Sequence, residues 1–135
     1  MIRFNKITEY GIRVIRTMYQ VNGQTISSVK ISERENISLP MLMKVLRRLK
    51  QVGYIKSSRG RGDSCGGYSL VVDPKNLTLK DVVEALEGKI YISDCLCAEN
   101  EKNAGKDIKL RSEMESINDI IIQKLGQKTL SEMIS

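Results

Sequence analysis

The chain has 135 residues, 41% hydrophobic and 28% charged, which suits one globular domain with a modest core and an appended helix. No apolar run reaches the ~20 residues a transmembrane helix needs, and the start, MIRFNKITEYGIRVI, mixes polar with apolar residues unlike a secretory signal, so a cytoplasmic location is expected. The formal net charge is +6 and histidine is absent, which removes the usual general base, the commonest metal ligand and any imidazole-dependent triad.

The charge is uneven along the chain. Residues 1–70 carry 13 Lys and Arg against 4 Asp and Glu, whereas residues 71–135 carry 9 against 12. A basic front on a slightly acidic back suggests a polyanion-binding module joined to something else. The plainer alternative is a solvated basic surface.

Residues 6–21 place Ile7, Tyr10, Val14, Met18 and Val21 at helical spacing, and NGQ ends that segment with turn residues. A short helix is expected over about residues 26–35. Asn36 follows it, a residue that tolerates the left-handed backbone of a tight inter-helix turn. Ser38 is suited to cap the next helix, and Pro40 falls in its first turn, where a missing N–H costs little. Leu42, Val45, Leu46 and Leu49 then recur at i, i+3, i+4 and i+7 as a buried stripe. The opposite face carries Pro40, Lys44 and Arg47, with Ser38, Met41, Met43 and Arg48 at its margins and no acid among them. Two short helices with a tight turn, the second basic on its outward face, describe a helix-turn-helix.

Gly53 closes that helix, and YIKSS and GYSLVV read as two strands around the tip RGRGDSCGG, which makes a wing. The glycines allow close backbone approach, and Arg59 and Arg61 suit a phosphate or a narrow minor groove. The expected partner is therefore double-stranded DNA, with an ordinary solvated hairpin as the alternative. Cys65 in this tip sits beside arginines whose positive potential favours thiolate. It is either an oxidisable switch at the DNA contact or a small residue at a glycine-rich turn.

Thr78, with Asp81 three residues on, opens a further helix that buries Val82, Val83 and Leu86 and stops at Gly88. YISDCLCAENEKNAGKD is polar and holds Cys95 and Cys97. Three cysteines in an apparently intracellular chain argue against a disulfide framework and leave reactive thiols or metal ligation open. From about 107 to 125 a long helix carries Ile108, Met114, Ile117, Ile121 and Leu125, and Thr129 precedes a last capped turn with Glu132 reaching back. Such a helix has little to pack on within so small a core. Pairing with its counterpart gives a two-fold homodimer, while folding back onto the first helix is the alternative. The expected fold is mainly α with a small β-hairpin wing: a winged helix-turn-helix over 1–90, a sensor loop over 91–106, and a dimerisation helix with its tail over 107–135.

ITEYGIRVI, ISERENISLPMLMKVLRRLKQVGYIKSSRG, GGYSL and LTLKDVVEALEG, in this order and spacing, resemble the IscR/NsrR/CymR-type winged-helix transcriptional regulators over roughly the first two-thirds of the chain. The long helix and TLSEMI are similar to that family's dimerisation helix and tail. The resemblance implies a homodimer on a partly palindromic operator, with Ser38, Pro40, Met43 and Arg59 where family members touch DNA. It also implies an iron–sulfur cluster in many members, held by three cysteines ahead of the dimerisation helix and by a ligand from the partner's first helix. Cys95 and Cys97 fall in that region, and Glu9 occupies the first-helix position where some members place a carboxylate. The family's usual third cysteine is missing here, and other members lack a cluster altogether.

Iron–sulfur clusters take about four ligands, mostly thiolates. Cys95, Cys97 and Glu9 are the candidate ligands, with 2Fe–2S favoured over 4Fe–4S. A thiol redox or metal sensor using the cysteine pair is the second possibility, and a cofactor-free regulator controlled by a protein partner is the third. No dinucleotide-binding glycine signature, P-loop or nucleophile with a base is visible, so an enzyme is not expected. A winged-helix adaptor without DNA binding would tend to be less cationic on its second helix.

Overall fold

The computed structural model describes residues 3–59, 66–93, 96 and 108–134. Three helices come first: α1 (Lys6–Gln20), α2 (Ser28–Glu35) and α3 (Leu39–Gln51). Strands β1 (Ile55–Ser58) and β2 (Gly67–Leu70) follow, then a single 3-10 turn (Pro74–Asn76), α4 (Leu79–Glu87), α5 (Ile108–Leu125) and α6 (Leu130–Ile134). The core lies where α1, α2 and α3 meet α4 and the wing. It is built from Val14, Ile15 and Met18 of α1, Ile31 of α2, the expected leucine–valine stripe of α3, Ile55 of β1, and Val82 and Leu86 of α4. Gly11 sits where α1 crosses α4. A Cβ there would come within 2.6 Å of Leu86 Cδ1, so the small residue sets how closely the two helices approach.

The short helix α2 begins two residues later than the sequence suggests. Ser27 is its N-cap and accepts from the Lys30 amide at 3.3 Å. Ile26, expected to be helical, instead exchanges both backbone hydrogen bonds with Tyr68 of β2, at 2.9 and 2.8 Å. It adds a rung on the far side of the antiparallel β1–β2 pair, whose register runs from Ile55 opposite Leu70 to Ser58 opposite Gly67. The wing is thus tied through Ile26 to the start of the helix-turn-helix. Gly67 makes this possible, because a Cβ there would lie 2.6 Å from the Ile26 carbonyl oxygen.

The capping box at Thr78 forms as expected. Thr78 Oγ1 accepts from the Asp81 amide at 3.2 Å, and Asp81 Oδ2 accepts from the Thr78 amide at 2.9 Å. Gly88, at φ 95°, ends α4. The tail folds back on the core: the Leu130 amide donates to the Leu77 carbonyl at 2.7 Å, and Leu130 and Ile134 are buried. The Thr129 hydroxyl lies 3.1 Å from that of Ser131.

Helix α5 leans on α4. Of its expected apolar stripe only Leu125 is buried; Met114 and Ile121 are half-buried. Ile108, Ile117 and Ile120 are 73%, 46% and 63% exposed. Within one chain the stripe is only partly covered, and Ile120 beside it is exposed as well. No helix among the described residues is long and apolar enough to cross a membrane.

Candidate nucleic-acid interface

The turn between α2 and α3 is set by Asn36 at φ 52°, ψ 49°, the left-handed conformation expected of it. This lets the Asn36 and Ile37 amides both reach back to the Ser32 carbonyl, the second at 3.2 Å. The Ser32 hydroxyl donates to the Ile37 carbonyl at 2.6 Å, and the Ile37 side chain is buried. Ser38 occupies the N-cap position of α3, and its carbonyl accepts from the Leu42 amide at 2.9 Å. Its hydroxyl, however, makes no capping bond, contrary to the expectation from sequence, and the residue stays exposed.

The buried stripe of α3 turns the rest of the helix outward. Pro40, Met43, Lys44, Arg47 and Arg48 are exposed, and Met41 is half-buried. The structure therefore brings all the candidate residues of this helix onto one surface. Lys50, which the sequence reading passed over, donates from Nζ to Ser57 Oγ of β1 at 2.8 Å and braces the wing against one flank of α3. Arg59, directly beyond β1, is exposed, while Arg61 and Cys65 lie outside the described residues.

A buried charge fixes the helix-turn-helix to α1. Glu35, 8% exposed at the end of α2, accepts from Arg13 Nε at 3.1 Å, from Arg16 Nη2 at 3.2 Å and from the Thr17 hydroxyl. Arg13 also donates to the Glu35 carbonyl and stacks over Tyr10 at 5.3 Å. Burial by itself would raise the Glu35 carboxyl. The Thr17 hydroxyl, the Arg13 hydrogen bond and the Arg16 charge outweigh it and hold the carboxyl below the usual carboxylate range. Tyr54, at the root of the wing, hydrogen-bonds to the Asp81 carbonyl at 3.4 Å. Burial and the Asp81 charge push its phenol upward. Nothing in the sequence pattern marks Glu35 as a clamp; an acid in a last helical turn resembles any solvated charge.

Of the candidate cofactor ligands, Cys95 and Cys97 lie outside the described residues. Glu9 is exposed in the first turn of α1. Among the described residues no group of three or more His, Cys, Asp or Glu is placed to hold a metal ion. The segment leading to the cysteines is held by Asn118 of α5, which is 8% exposed. Its Nδ2 donates to the Ile90 carbonyl at 3.2 Å, and its Oδ1 accepts from the Ile92 amide at 3.0 Å.

This arrangement matches known regulators. The NsrR transcriptional regulator of Bacillus subtilis is 35% identical over 98 residues, covering 72% of this chain and 65% of that protein. The structure of CymR, the global cysteine regulator of B. subtilis, superposes with a TM-score of 0.72 at 25% identity, covering 99% of this chain and 97% of that one. The IscR structure from T. potens shares the fold at a TM-score of 0.73 and 24% identity, over 98% of this chain and 86% of its own. The first two are named as regulators. The Rrf2 family, whose description reads iron-dependent transcriptional regulator, matches residues 4–135. With a winged helix-turn-helix in place and that match running through α6, the chain belongs to the Rrf2 family of winged-helix transcriptional regulators.

Proposed function

We propose that the chain is a cytoplasmic, homodimeric repressor-type regulator that lays α3 in the major groove of a partly palindromic operator and Arg59 of the wing in the adjacent minor groove. The observation that carries this is the exposed α3 surface, basic and free of acid, next to a wing braced to it by Lys50. Ser38, Pro40 and Met43 sit towards the start of α3, the end of a recognition helix that meets base edges. Lys44, Arg47 and Arg48 act on phosphates, and Arg61 joins Arg59 from the wing tip. The division into a DNA-binding part over 1–90, a sensor loop over 91–106 and a dimerisation part over 107–135 follows from these roles. The exposed Ile117 and Ile120 supply the apolar face that a second copy of α5 covers.

Control is assigned to Cys95 and Cys97. The family's description as iron-dependent supports iron, and thiolates are the ligands that iron–sulfur clusters favour. Cys95, Cys97 and the partner's Glu9 would be the ligands offered to such a cluster, with 2Fe–2S favoured over 4Fe–4S. Thiol oxidation of the same pair is the second reading, and it needs no further ligand.

The test is duplex binding measured at stepped salt, on protein purified without oxygen and assayed for iron. Binding to mixed-sequence DNA should weaken steeply as salt rises. Arg47→Ala should weaken binding to every sequence and lower the salt slope by about one, whereas Arg59→Ala should lose preference at particular base steps. Wild-type indifference to salt would overturn the DNA reading. Iron-free protein whose binding still responds to oxidant would favour the thiol reading over the cluster.

A further inference from the structure

The two flanks of α3 are not alike. One carries Lys50, whose ammonium reaches Ser57 and the wing. The other faces the start of α1 across an open cleft lined by Asn5, Lys6, Lys44, Arg47, Arg48 and Gln51, with no acidic residue in its lining. Lys44, Arg48 and Gln51 recur at i, i+4 and i+7, so they form one ridge along this side of the helix. Lys6 opposes them from the first turn of α1, and all four cations are exposed. Among the described residues none of them makes an ion pair with a carboxylate.

Resting on the DNA-docking reading above, we propose that this cleft seats a phosphate of the strand that borders the major groove on the side away from the wing, and that Lys6 is a DNA-positioning residue. A major groove about 12 Å wide is walled by two phosphate backbones. A helix lying in it therefore presents one flank to each. The wing side already has its basic groups in Lys50 and Arg59. The opposite backbone meets the ridge of α3, and among the described residues the facing wall of the cleft is the beginning of α1. Asn5 is the N-cap of α1 yet its side chain makes no capping bond, so the positive end of a 15-residue helix adds to the charge of Lys6 at the cleft. Four uncompensated cations converging from two helices create a potential that suits a phosphodiester, and contacts of this kind fix where a protein sits on the duplex without reading its sequence. Because α1 is also clamped to α2 through Arg13 and Glu35, a phosphate held by Lys6 constrains the whole helix-turn-helix rather than one side chain.

The test compares Lys6→Gln with Lys128→Gln, an equal loss of charge in the exposed turn before α6. Binding to a mixed-sequence duplex is followed against salt, with the melting temperature of each variant recorded. Lys6→Gln should bind severalfold more weakly and lower the slope of log affinity against log salt by about one. Lys128→Gln should leave that slope at the wild-type value, and Lys6→Arg, which keeps the charge, should retain it. An unchanged slope in Lys6→Gln overturns the proposal, as does an equal fall in Lys128→Gln, which would report only the overall field. Wild-type protein without salt-dependent binding is a separate result: it would remove the DNA reading itself.

Discussion

Glu35 and Arg13 face each other across 3.1 Å between the end of α2 and the middle of α1, and Arg16 and Thr17 close the same carboxylate from the next turn. The first helix of the helix-turn-helix is thereby held at its C-terminal end, one residue before the turn that sets the angle of α3. Glu35→Gln should cost about 2 kcal/mol, because charge-assisted bonds in a buried site are replaced by weaker ones. The effect has a sign in pH. The carboxyl is held below its unfolded value, so its contribution is complete above the ordinary carboxylate range and is lost as pH falls through the folded pKa. Urea unfolding of both proteins at stepped pH should show the gap narrowing on acidification; a gap that widened would refute the clamp.

Gly67→Ala should be more disruptive than its size suggests. The added methyl would meet the Ile26 carbonyl oxygen at 2.6 Å and Thr25 Cγ2 at 2.8 Å, and the first of these is backbone that cannot swing aside. A loss of about 2 kcal/mol is expected, with faster amide exchange at Ile26 and Tyr68. Unaltered exchange at both would mean that the wing does not depend on this bridge.

Charged residues at Ile117 and Ile120 should separate subunits without unfolding them. Both side chains are exposed in the single chain, so Ile117→Glu with Ile120→Glu should change its stability by only about 0.5 kcal/mol while setting like charges against each other across a two-fold seam. Sedimentation should shift from dimer to monomer and operator affinity should fall with it. Wild-type protein that sediments as a monomer at micromolar concentration would end the α5 dimer.

Serine at both Cys95 and Cys97 should leave folding, dimerisation and duplex binding intact while abolishing any change in DNA binding caused by iron or oxidant. Glu9→Ala should weaken the same response only where a cluster is the effector. Cys65→Ser should alter oxidation sensitivity alone. A double-serine protein that responds like wild type would show that residues 91–106 are merely a connection.

Much of the molecule was legible in the sequence because its signals are local. The leucine–valine stripe of α3, Asn36 in the turn, the Thr78–Asp81 box and Gly88 each act within a few residues, and each stands where spacing predicted. What escaped depends on partners distant in the chain. Ile26 looks like the start of a helix until Tyr68, far downstream, claims its backbone. Nothing in the sequence singles out Glu35 or Asn118, since a polar side chain does not announce that it is buried. Lys6 gave no sign of its place because its neighbours in the cleft come from α3. Ile117 shows the same limit from the other side: periodicity marks it as part of an apolar face without naming what covers it, and Ile120, exposed beside it, lies outside the expected stripe.

Asn118 has a mechanical consequence. A primary amide both donates and accepts from one planar head, and here each half is engaged by a different peptide group, the Ile90 carbonyl and the Ile92 amide. Its neighbours on α5 are Ile117, which can do neither, and Asp119, whose carboxylate cannot donate. The helix consequently meets the preceding segment at a single phase, like a key in a shaft. Sliding by one residue, about 1.5 Å along the axis, would break both bonds together and put an unsuitable side chain in their place. Residues 90–92 are thereby registered to the middle of α5 by two bonds that one side chain makes or loses together.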